Sequence, residues 1–66
     1  MRLVVNGEER VLEDVSDVAA MVRALGLDPR KVAVERNLEI VPRSTYDQAR
    51  LSDGDRIEIV HFIGGG

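Results

Sequence analysis

The sequence predicts a single α+β domain, a mixed sheet of four to five strands with one main helix packed on one face. Three observations carry that expectation. Only one stretch has helical periodicity over more than two turns, around Val18-Met21-Val22-Leu25. The remaining apolar residues fall into short extended runs separated by turn signals. And 66 residues without cysteine make one small body whose core must be thin and aliphatic.

The first run is Met1 to Val5. Met1, Leu3 and Val5 share one face, with Arg2 and Val4 on the other. Asn6-Gly7 is the strongest hairpin signal in the chain, because a type I′ turn needs φ > 0 at both central residues. The return strand is expected over Glu9 to Glu13. Val11 and Leu12 are adjacent there, so one of them faces solvent or the strand bends.

Ser16 is the expected N-cap, with Asp17 favourable in the first turn. The apolar stripe predicts a helix over Asp17 to Leu25. Gly26 is placed to stop it in a left-handed conformation, and Pro29 blocks a restart.

Val32 to Glu35 is the third strand, with Val32 and Val34 on one face. Asn37 tolerates the left-handed region, and Glu39-Ile40-Val41 extends again until Pro42. Ser44 is read as the cap of a short turn, and Leu51 as its seal to the core. Ser52-Asp53-Gly54-Asp55 is a turn with Gly at a φ > 0 position. It lacks the alternating ligands and bidentate Glu of a calcium loop, so no metal is expected.

The last strand is Arg56 to Phe62. Ile57 and Ile59 face the core, leaving Val60 and Phe62 outward, with Val4 beside them if the first and last strands are neighbours. These three form the expected partner-binding patch, together with Ile63 at the strand's end. One helix cannot build a doubly wound sheet. It can lie across a mixed sheet whose first and last strands run parallel in the centre, which is the β-grasp architecture. Residues 1–63 are the expected domain, and 64–66 a flexible glycine tail.

Composition excludes several classes of function. No cysteine removes disulfides, thiolate zinc sites and iron–sulfur clusters, and a single histidine leaves little for a metal site. Having no disulfides fits a reducing compartment, and a cytoplasmic location is expected. There is no apolar run of signal-peptide or membrane-span length. A net charge of −3 and only two aromatic residues argue against nucleic acid. A mildly acidic surface suits a partner with a basic docking site. The free chain is expected to be a monomer.

Little is left to do chemistry alone. His61 has no catalytic partner near it in sequence. Gly64-Gly65-Gly66 is not a phosphate loop, since no helix follows it. The carboxylate of Gly66 is different: ionised and unreactive at neutral pH, it becomes a good acyl donor once adenylated. Glycines make a narrow thread that passes into an active site and leave the reacting carbonyl unhindered.

A β-grasp ending in a Gly-Gly tail resembles the ubiquitin superfamily. Within it the chain resembles the sulfur carriers of thiamine biosynthesis, the ThiS family. The matching stretches are Val5-Asn6-Gly7-Glu8, Val34-Glu35-Arg36-Asn37, Glu39-Ile40-Val41-Pro42-Arg43, Asp53 to Val60, and the glycine tail, which has three glycines where two are commoner. That resemblance implies a non-enzymatic carrier, a co-substrate of other enzymes with no cofactor of its own. A ThiF-type adenylyltransferase would spend Mg-ATP to adenylate Gly66. A cysteine desulfurase or other persulfide donor would convert it to a thiocarboxylate. Thiazole synthase would then take the sulfur. Gly64 and Gly65 are the thread. Glu35, Arg36, Asn37 and Arg43 receive no catalytic role; they fix the middle turn or face a partner. Three other readings of the same residues stand beside this one: a molybdopterin synthase small-subunit type of carrier, a ubiquitin-like modifier, and an interaction module with an inert tail.

Overall fold

The strands and the helix form two layers in a computed structural model that describes residues 1–62. The expectations placed on Ile63, Gly64, Gly65 and Gly66 lie outside the described residues. Strands β1 (Arg2–Val5), β2 (Glu8–Val11), β3 (Val32–Arg36), β4 (Glu39–Val41) and β5 (Arg56–His61) make one sheet in the order β2-β1-β5-β3-β4. β1 and β5 are parallel in the centre, and every other pairing is antiparallel. Helix α1 (Val18–Ala24) covers one face. This is the architecture expected from the sequence.

The first hairpin is as tight as Asn6-Gly7 implies. Asn6 has φ +50 and Gly7 φ +81. A two-residue turn puts Glu8 directly opposite Val5, so β2 begins and ends earlier than the expected Glu9 to Glu13. The Val11/Leu12 conflict resolves in favour of Leu12. It packs against the core while Val11 faces solvent.

The helix cap differs from expectation by one residue. Asp17, extended at φ −139, takes the Ala20 N–H on its carboxylate at 2.8 Å. Ser16 instead offers its carbonyl to Leu51 N at 3.0 Å, tying the loop before the helix to the segment that leads into β5. Asp17 thus stands outside the helix rather than in its first turn. At the other end Gly26 N–H bonds Arg23 O and Leu27 N–H bonds Val22 O, with Gly26 at φ +79. That bond pair is a Schellman motif, which only a residue tolerant of the left-handed region closes without strain.

Val18, Met21 and Val22 from α1 meet Leu3, Val5, Val32, Val34 and Ile57 from the sheet. All of these are aliphatic or thioether side chains in alternate strand positions or on one helix stripe, so the core follows from periodicity. Tyr46 is the exception. It is buried, and its hydroxyl donates to Val32 O at 3.0 Å. Two 3-10 turns, η1 (Pro29–Lys31) and η2 (Arg43–Thr45), close the ends of the helical layer. Ser44 does not cap η2. The turn starts at Pro42, whose carbonyl accepts from Thr45 N and from the Thr45 hydroxyl.

The β3–β4 hairpin turns through Asn37 and Leu38, at φ +51 and φ +71. Asn37 suits that region. Leucine there costs about 1–2 kcal/mol, because its Cβ crowds the following carbonyl. Leu38 is also 89% exposed, so core packing does not hold it there.

Candidate functional site

The place of interest is the exit of β5, where the folded body leads into the glycines. β5 is central and is fixed at three levels. At its start, Asn37 N–H donates to Arg56 O and the Asn37 side-chain oxygen accepts from Arg56 N, at 2.8 and 2.9 Å. Next, Ile57 pairs with both Val5 and Arg36. At Ile59 the Asn6 side chain takes over from the backbone of β1. Its oxygen accepts Ile59 N–H at 2.8 Å and its amide donates to Ile59 O at 3.2 Å. A side-chain amide both donates and accepts, so asparagine can extend a ladder where the partner strand has turned away. Past Ile59 the described bonds run to one side only: Val60 is opposite Ala33 and His61 opposite Val32 on β3, and beyond the strand Phe62 N–H bonds Lys31 O at the end of η1 at 2.8 Å.

Under the start of β5 lies the one buried charge among the described residues. Asp55 is 7% exposed and accepts from Arg36 Nε at 2.7 Å, Asn37 Nδ2 at 3.0 Å and Ser52 N at 2.8 Å. Burial pushes its carboxyl up. The bonds from Asn37, Arg36 and Ser52 outweigh that, and the group is held below its ordinary range. Arg36 and Asn37 therefore fix the middle turn, one of the two roles expected of them. Asp53 takes Arg2 N–H at 2.7 Å. Among the described residues no group of three or more histidines and carboxylates is arranged to hold a metal ion.

Val60 and Phe62 sit together at the exit, 61% and 43% exposed. The Arg43 guanidinium lies 5.6 Å from the centre of the Phe62 ring, within cation–π range. Arg43 also reaches Val32 O at 3.4 Å, so it buttresses the exit from the η2 side. Val4 is not gathered with them. It is opposite Arg56, four residues before Val60, a separation of about 13 Å along the strand. His61 is solvent-exposed and pairs only through its backbone with Val32. A shallow cleft of about 320 Å³ between α1, η1 and η2 is lined by Arg23, Arg30, Arg43, Ser44 and Asp47. Arg30 there is engaged by Asp28, whose carboxyl is lowered to about 2 by that guanidinium's hydrogen bonds.

The sequence reading missed the second function of the two asparagines. Both were legible as turn residues, and both also brace β5. The signal available was the choice of Asn over Asp or Gly at φ > 0, since only the amide can serve donor and acceptor at once. Among the described residues no helix is long and apolar enough to cross a membrane.

Comparison with known proteins adds four findings. The model of the ThiS family matches residues 2–66. The sulfur carrier protein ThiS of Bacillus subtilis is 38% identical over 65 residues, covering 97% of this chain and 98% of that protein. Proteins named thiazole synthase from Paramagnetospirillum magneticum and Magnetococcus marinus are 61% and 46% identical over all 66 residues. The chain spans only 20% of the length of each of those two. In structure, the crystallised thiamine biosynthesis protein (ThiS) of Geobacter metallireducens superposes with a TM-score of 0.82 at 33% identity, with both chains fully covered.

Proposed function

Because this chain belongs to the ThiS family, we propose that it carries sulfur for thiamine biosynthesis on the carboxylate of Gly66. The supporting observation is the match with the Bacillus subtilis sulfur carrier over 97% of this chain, together with a family model that matches through residue 66. The geometry agrees with such a task. β5 is clamped on both sides up to Ile59 and leads directly to the glycines, so whatever grips the tail is registered against a rigid body.

The cycle has three steps. A ThiF-type adenylyltransferase, using Mg-ATP, lets a Gly66 carboxylate oxygen attack the α-phosphate; pyrophosphate leaves and an acyl-adenylate remains. A persulfide, supplied by a cysteine desulfurase or a similar donor, displaces AMP, and a thiol then cleaves the sulfur–sulfur bond to leave the thiocarboxylate. Thiazole synthase receives that sulfur. The carrier contributes delivery and no catalytic group. Val60 and Phe62 are the docking residues nearest the tail, with Arg43 holding the Phe62 ring.

The test is the intact mass after incubation with adenylyltransferase, ATP, desulfurase and cysteine. The expected product has one oxygen replaced by sulfur, localised to Gly66 by fragmentation. A chain lacking Gly64, Gly65 and Gly66 should keep its fold, since the core runs from Leu3 to Ile57, and should lose the modification. Modification of that truncated chain would overturn the reading, and lysine conjugates in place of a thiocarboxylate would replace it with a protein modifier.

A further inference from the structure

The outer face of the sheet, away from α1, carries an arrangement that folding alone does not favour. Glu35 and Glu58 are directly opposite each other on neighbouring strands. Side chains in such a pair are about 5 Å apart at Cβ, and like charges there destabilise the sheet. Neither is ion-paired with any described residue, although Arg56 lies two positions before Glu58 on the same face. The same half of the sheet holds further exceptions. Ile40, directly opposite Glu35 on β4, is 75% exposed, and Val60 flanks Glu58. Leu38, at strained φ, terminates the hairpin. Of the five exposed large apolar residues among the described ones, only Val11 lies elsewhere than on the β3–β4 hairpin and the β5 exit. Violations of local rules that gather at one place mark a site under functional demand.

We infer that Glu35 and Glu58 form an acidic clasp that receives an arginine of thiazole synthase, with Ile40 and Val60 as its apolar rim. The inference rests on the carrier reading above and names one docking contact within it. Arginine fits because its planar fork offers five donors and can bond both carboxylates at once, where an ammonium is a point charge. The apolar rim excludes water and strengthens the contact. Binding relieves the repulsion that the free carrier bears. The choice of partner follows from the relatives in which a segment matching this entire chain belongs to a protein named thiazole synthase.

The clasp predicts opposite signs for folding and binding. The carrier, Glu35→Gln, Glu58→Gln and the double variant are titrated by calorimetry against thiazole synthase from the same organism, at low and high salt. The double variant should bind about tenfold more weakly or worse, with a flatter salt dependence, while its melting temperature is equal or higher. Unchanged affinity, or weaker affinity that merely follows a lower melting temperature, would overturn the clasp. So would lost binding to the adenylyltransferase with synthase binding intact. Thiocarboxylate formation is read on the same proteins. Its absence in the unmodified sequence sinks the carrier reading, whereas the calorimetry reads the clasp on the uncharged carrier independently.

Discussion

Asp55 shows how much one side chain can decide in a 66-residue chain. It is buried, ionised and triply bonded, and it joins the middle turn to the start of β5. Asp55→Asn keeps the shape but leaves one of these donors facing an amide donor, at a cost of roughly 2 kcal/mol. The pH dependence has a definite sign. The folded carboxyl is depressed below an unfolded value near 3.9, so its contribution is complete above about pH 4 and is lost as pH falls through the folded value. Denaturant titrations should show a gap between the two proteins that is constant from pH 5 to 7 and narrows below about pH 4. A gap that widened on acidification would contradict the assignment. None of this was legible beforehand. Asp53-Gly54-Asp55 reads as a turn, and nothing in sequence reveals that a residue 18 positions away will donate to it.

At the scale of elements, the readable features were those set by local spacing. The helix stripe, the Asn6-Gly7 turn and the alternation of β1, β3 and β5 are periodic or steric signals, and each appears as expected. The misplacements occur where two candidates compete. Ser16 and Asp17 are both good caps, and tertiary pairing of the Ser16 carbonyl with Leu51 assigns the role to Asp17. Tyr46 has no place in the periodic pattern, and the Val32 carbonyl, accepting its hydroxyl, lets it enter the core. Gly26 offers the cleanest test at this scale. A Cβ there would meet nothing within 4 Å, so Gly26→Ala introduces backbone strain alone. The expected loss is about 1 kcal/mol, measured by chemical denaturation with an unchanged m-value. A loss several times larger would mean that the left-handed residue supports more than the helix end.

For the whole molecule, the core lies on the helix side of the sheet, and the proposed docking residues lie outside it. Phe62 tests that division. It lies outside the buried cluster and touches Arg43, so Phe62→Asp should lower stability by about 1 kcal/mol or less, while weakening partner binding about tenfold or more. Calorimetric melting and a pull-down with adenylyltransferase or synthase separate the two effects; a collapse in melting would make Phe62 a core residue. The candidate site was legible as the exit of the last strand, because an apolar strand running into glycines is conspicuous. That Val4 belongs to another part of the face was not, because it depends on the parallel register of β1 against β5.

The central position of β5 has a mechanical consequence. A pull on Phe62 along the strand is resisted by β3 on one side and by β1 and the Asn6 amide on the other. The load is therefore shared in shear across several rungs at once. The edge strands β2 and β4 have one neighbour each and peel rung by rung. An enzyme that holds the tail and shifts its own domains during turnover thus pulls on the strand of this fold best anchored against tension.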